Sequence, residues 1–146
     1  MSLIKKLSAT AILLSALCVF ASPTYAATAL CYYSFNSPWG AGSLTNSIEG
    51  PAFVVNNTAG VVSIKGWQDT PYSGTPNVYY ELMRSDWGFD TTVGSTTIRG
   101  GYPQSSSALW YYHTFTGVQK GTEYYIRMSS RSSTGMDGAG NAYDGY

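Results

Sequence analysis

Charge is scarce in this chain. Asp, Glu, Lys and Arg make up 11% of its 146 residues, against about a quarter in an ordinary soluble domain. The few charges balance, eight acidic against eight basic. This argues against nucleic-acid binding, which needs a basic footprint to neutralise phosphates. Disorder is also disfavoured, since it combines low hydrophobicity with high net charge. Histidine occurs once, as His113, and cysteine twice, as Cys18 and Cys31. No Cys-x-x-Cys pair, His-Glu-x-x-His helix or Gly-x-Ser-x-Gly elbow is present. One histidine and one cysteine far apart in sequence make no zinc site. General acid–base work needs a defined geometry, and nothing in the spacing of His113, Glu81, Arg84 and the serines supplies it. No catalytic residue, metal or cofactor is therefore assigned, and the chain is expected not to be an enzyme.

Long apolar runs are equally rare. The one candidate, Ala9 to Ala21, follows Lys5 and Lys6 and is followed by Thr24-Tyr25-Ala26. Those are the basic, apolar and small-residue regions of a secretory signal peptide, and the run is too short to span a bilayer. Residues 1–26 are expected to be removed, leaving 27–146 as one domain. Within it, 27–60 holds an N-terminal arm and the first strands, and 61–146 the remainder of the fold. The expected location is extracellular, or periplasmic if the envelope has two membranes, with no stable membrane insertion after cleavage. Cys18 lies inside the leader, which leaves Cys31 without an internal partner. Leu30 before it does not suit a lipidation site. On a mobile arm Cys31 would form an intermolecular disulfide; a buried inert thiol is the other reading.

What the chain has in abundance is Ser, Thr, Gly, Asn and tyrosine, with 13 tyrosines and an aromatic share of 15%. Such surfaces suit adaptable binding. Apolar residues alternate with polar ones over short stretches bounded by turn formers, the pattern of half-buried strands. In Asn77 to Arg84, Val78, Tyr80 and Leu82 share one face. Val61 to Trp67 puts Val62 and Ile64 on one side, and is expected to form a hairpin with Phe53 to Val55. Thr91 to Arg99 carries a turn or bulge at Gly94-Ser95. Ala108 to Thr116 is expected to pair with Glu123 to Ser130 across Gly117 to Gly121. The Gly-rich stretch from Arg131 to Tyr146 reads as a short edge at best, leaving a sheet edge open. Cys31 to Phe35 is either a first strand or an extended arm. Six to eight short strands without a convincing amphipathic helix predict a single all-β antiparallel sandwich.

The stretch Val118 to Ser130 carries the most specific pattern, with Val118, Thr122, Tyr124, Ile126, Met128 and Ser130 in register. It resembles the entry to the sixth strand of fibronectin type III and other immunoglobulin-like domains, although Lys120 replaces the family's proline. The strand order is also similar to that of bacterial pre-peptidase C-terminal domains. The resemblance implies a tyrosine corner, with the Tyr124 hydroxyl bonded back to the backbone upstream. It implies nothing about function, since sandwiches host many activities.

Tyr-Tyr pairs recur at residues 32, 79, 111 and 124, and each puts one ring in and one out. An exposed stripe of Tyr79, Tyr125 and Tyr111 or Tyr112 would stack on sugars or dock a protein; cross-strand packing is the competing reading. Tyr111 is carried forward as the ligand-binding candidate, with Tyr79, Tyr125 and the loop residue Trp87. Trp39 also lies in a turn-rich segment, whereas Trp67 and Trp110 read as core. Asp137, Asn141 and Asp144, with Asp86 and Asp90, match no calcium repeat. The expected function is a non-catalytic binding module for an extracellular protein or polysaccharide. The alternatives are a subunit that assembles with copies of itself through the Cys31 arm and an open edge, and a secreted hydrolase.

Overall fold

A computed structural model of the chain describes residues 27–37, 47–105, 109–131 and 135–145. The expected leader, residues 1–26, and Trp39 lie outside the described residues. Nine strands form among those described: β1 (Thr28–Ser37), β2 (Ser47–Glu49), β3 (Phe53–Val54), β4 (Val61–Asp69), β5 (Asn77–Arg84), β6 (Thr91–Arg99), β7 (Tyr111–Thr116), β8 (Glu123–Ser130) and β9 (Met136–Asp144). They build two antiparallel sheets packed as an open sandwich. The front sheet has the order β1-β9-β4-β7, and the back sheet β2-β8-β5-β6, with β3 continuing the β2 edge along β8. Alternation drives the packing: Val62 and Ile64 from β4 meet Val78, Tyr80 and Leu82 from β5 and Tyr124, Ile126 and Met128 from β8 in one core. The expected bulge falls at Val93, where β6 slips by one residue against Leu82 and Met83.

Four expectations are corrected. The stretch Phe53 to Val55 does not pair with Val61 to Trp67; β3 joins β8 in the back sheet, and β4 joins β7 and β9 in the front. The chain crosses between sheets at Asn57, whose side chain donates to Val61 O (2.9 Å) and accepts from Gly60 N–H (3.1 Å). Nor do β7 and β8 form a hairpin. Their connection also changes sheets, and the two crossings are laced together by Val118 N–H to Gly60 O (3.1 Å) and Gly121 N–H to Val55 O (2.8 Å). The two strands thus face each other across the sandwich, and the inward rings of both, Tyr111 and Phe115 on β7 and Tyr124 on β8, enter one core.

The third correction concerns the Gly-rich end. It is no weak edge but the nine-residue β9, paired on both sides, with β1 and with β4. Glycine is required here by neighbouring rings. A Cβ at Gly140 would lie 2.5 Å from the Tyr33 hydroxyl, and one at Gly138 would clash with the Phe35 ring. In the immunoglobulin arrangement the last strand belongs to the same sheet as its predecessor; here β9 lies in the sheet opposite β8. The likeness to that arrangement therefore stops at β8. Lastly, Cys31 is not on a mobile arm. It sits in β1, paired along its length with β9, at a register shift, and it is half-buried against the core.

Polar groups also cross the sandwich. Gln68 of β4 is fully buried; it accepts from the Tyr80 hydroxyl (3.0 Å) of the back sheet and donates to Ile98 O in β6 and Gly100 O just after it (3.0 Å each). The oxygen and the nitrogen of the Gln68 amide thus both have partners.

Candidate functional site

The front sheet turns a broad outer face to solvent, and strand register sets what it presents. Tyr32, Asn141, Lys65 and Tyr112 form one row across β1, β9, β4 and β7. Ser34, Ala139 and Trp67 form the next, and Asn36, Asp137 and Asp69 the third. At about 4.8 Å per strand, Tyr32 and Tyr112 stand roughly 14 Å apart, one on each edge strand. Both rings are exposed, at 60% and 47%, and Trp110 just before β7 at 38%. Trp67 is half-exposed. The expectation that Trp67 and Trp110 are core residues is thus corrected. Parity already opposed it for Trp67, which alternates with the inward Val62 and Ile64.

Two hollows open on this face. The larger, about 350 Å³, is lined by Trp67, Asp69, Thr70, Pro103, Gln104 and Asp137. Its wall is held by Thr70, which donates its N–H to Asp69 (2.8 Å) and its hydroxyl to Gly135 O (2.7 Å). A reciprocal backbone pair between Gln68 and Tyr102 (3.0 and 2.7 Å) fixes Pro103 and Gln104 at its mouth. The smaller, about 180 Å³, is lined by Ala27, Lys65, Tyr112 and Tyr143. The Tyr112 hydroxyl is held by Ser63 (3.1 Å) and Thr114 (2.8 Å), which leaves its ring presented to solvent.

The expected stripe is not a single surface. Tyr79 and Tyr125 belong to the outer face of the back sheet, and both are engaged. The Arg131 guanidinium stacks 4.3 Å above the Tyr79 ring, and the buried Tyr125 donates to Asp90 (2.8 Å). Burial, reinforced by that bond, pushes the Tyr125 phenol up to about 12. Between them Arg127 pairs with Glu81 at 2.9 Å. Tyr111 is corrected: it is 2% exposed and lies in the core, its hydroxyl sharing a hydrogen bond with that of Tyr33 (2.9 Å), and the outward member of the pair is Tyr112. Trp87 is fully exposed, with Phe89, at the β5–β6 hairpin tip on the back sheet. That tip is braced by Arg84 to Asp86 (2.8 Å), Thr91 to Asp86 (2.6 Å) and Asp86 N–H to Asp90 (3.3 Å). The Arg84 bond holds the Asp86 carboxyl below its ordinary range.

Tyr124 accepts a hydrogen bond from Gln119 N–H at 2.8 Å, five residues upstream. His113 stands edge-on to Phe115 (4.8 Å between ring centres), and burial lowers its pKa. Among the described residues no carboxylate bonds to it, and no three His, Cys, Asp or Glu side chains gather as metal ligands. The Asp144 carboxylate instead receives the N–H groups of Asn56 (3.1 Å) and Asn57 (3.1 Å), and also bonds the Asn57 side chain. No single strand could have revealed the pairing of Asp69 with Asp137, because it joins residues far apart in sequence.

No protein-family model and no curated protein matches this chain. Among solved structures it is similar to a carbohydrate-binding module, CBM28, described as specific for non-crystalline cellulose, with a TM-score of 0.50 and 12% identity over 80% of this chain and 74% of that one. The Yersinia pseudotuberculosis-derived mitogen aligns at a TM-score of 0.42 and 11% identity, covering 82% and 88% of the two chains. The CBM22-1 xylan-binding domain of Paenibacillus barcinonensis Xyn10C aligns at 0.36 and 12%, covering 79% and 83%. Of these three only the first reaches a TM-score of 0.50, and at 12% identity the likeness is one of fold. The chain is a β-sandwich whose fold resembles that of one carbohydrate-binding module.

Proposed function

We propose that the protein is a non-catalytic binding module that takes polysaccharide on the outer face of its front sheet. The observation that carries this reading is the larger hollow, where Trp67 stands beside the cross-strand carboxylates Asp69 and Asp137 and the Gln104 amide. A sugar ring has an apolar C–H face and a rim of hydroxyls. An indole stacks on the former, and carboxylate and amide oxygens accept from the latter. Tyr32, Trp110 and Tyr112 extend the platform along the sheet. The back face suits this role less, because Arg131 covers the Tyr79 ring and Tyr125 is buried. The fold-level likeness to a carbohydrate-binding module accords with this. Export through the leader 1–26 would place the module where extracellular or periplasmic glycans are met.

Affinity electrophoresis and calorimetry against soluble glucans, xylans and pectins test the reading. Retention of at least one polymer is expected, with Trp67→Ala weakening it by about ten-fold or more and no reducing ends released. Retention unaltered by Trp67→Ala, or none on any polymer, would overturn it.

A further inference from the structure

Lys65 is the one lysine or arginine in the four strands of the front sheet. It is exposed in the middle of β4, on the row that joins Tyr32, Asn141 and Tyr112, and it lines the smaller hollow with Tyr112 and Tyr143. Among the described residues the ion pairs join Arg84 to Asp86 and Arg127 to Glu81, both belonging to the back sheet. Among the described residues no carboxylate forms an ion pair with Lys65. The acids nearest along the face, Asp69 and its partner Asp137, lie four residues further along β4, roughly 13 Å away and beyond a Debye length at physiological salt. The face is therefore charge-asymmetric, with a cation between two phenols at one end and two carboxylates beside an indole at the other.

Resting on the polysaccharide reading, we infer that Lys65, Tyr112 and Tyr143 form a subsite for an anionic sugar carried on an otherwise neutral backbone. The lysine ammonium is a compact point charge with three donors. It suits a carboxylate or a sulfate ester, while the flanking rings cover the sugar's C–H face. A polymer charged on every residue would press anions against Asp69 and Asp137. A chain with spaced acidic residues places its anion at Lys65 and neutral sugars at Trp67. The subsite thus sets both the ligand class and the direction in which the chain lies.

The test compares glucuronate-bearing xylan, the same polymer after carboxyl reduction, and a sparsely sulfated xylan. The native polymer is expected to bind about ten-fold more tightly than the reduced one. That preference should vanish in Lys65→Met, survive in Lys65→Arg, and shrink as NaCl rises from about 0.05 to about 0.5 M. Lys65-dependent binding of the sulfated polymer alone would support the subsite and name the ester as its anion. Equal binding of native and reduced xylan, both lost in Trp67→Ala, would overturn the subsite and leave the glycan reading standing. If no polymer binds, both fall together.

Discussion

The hydroxyls of Tyr33 and Tyr111 meet at 2.9 Å, although the two residues belong to opposite edge strands of the front sheet, with β9 and β4 between them. Gly140 and Gly66 occupy the intervening positions of that row. Two tyrosines lean inward over two glycines, and their shared bond spans the sheet.

Gly140→Ala should therefore cost far more than a surface glycine replacement. Its Cβ would stand 2.5 Å from the Tyr33 hydroxyl and 2.6 Å from Lys65 O. Yielding of the ring relieves only the first contact. The expected loss is about 1–3 kcal/mol, read from the urea midpoint. The double variant Gly140→Ala, Tyr33→Phe should recover only part, because the backbone contact persists.

Alkali should unfold the protein through the same tyrosines. Burial raises Tyr33 and Tyr80 well above the ordinary value and takes Tyr111 up to about 12. In the unfolded chain all three titrate near 10. Above that pH the unfolded state has lost protons that the folded state retains, so stability falls as pH rises. Below about 9 their contribution is complete. Urea midpoints should be flat from neutral pH to about 9.5 and decline beyond it, less steeply in Tyr111→Phe. A midpoint constant to pH 11 would contradict the burial of these phenols.

Tyr124→Phe removes the acceptor for Gln119 N–H and little else. A cost of about 0.5–1.5 kcal/mol is expected, with glycan affinity unaltered because Tyr124 faces the core. An unchanged denaturation midpoint would show that the bond contributes nothing.

Burial raises the Cys31 pKa, outweighing a backbone hydrogen bond from Ala142, and the residue is tied into β1. Alkylation of the folded protein at neutral pH should run at least about ten-fold slower than in urea. The mass in solution should be indifferent to reductant. A dimer that reductant dissolves would sink this prediction.

Alternation made the inward residues of β4, β5 and β8 legible from sequence, and with them the sandwich. Period two assigns a residue to a face but not a strand to its neighbour, so the partners of β3, β7 and β8 could not be read. The strand β9 was hidden for a different reason. Its inward positions at Gly138 and Gly140 have no side chains, and the rings that fill them belong to β1, more than a hundred residues earlier. For the site, Tyr79 and Tyr125 were placed outward correctly, but their partners Arg131 and Asp90 were not visible. Tyr111 and Tyr112 were separated only by parity, and Trp67 was outward by the same rule that placed Ile64 inward.

The position of β9 also orders events in time. Without it β1 has no neighbour in the front sheet, and β4 keeps only β7. During synthesis the back sheet can close once β8 is made, while β1 waits, unpaired, for residues 136–144. Pairings of such long sequence separation make folding slow. The half-built sandwich exposes Tyr33 and Phe35 throughout, which makes that interval the period of greatest exposure to aggregation.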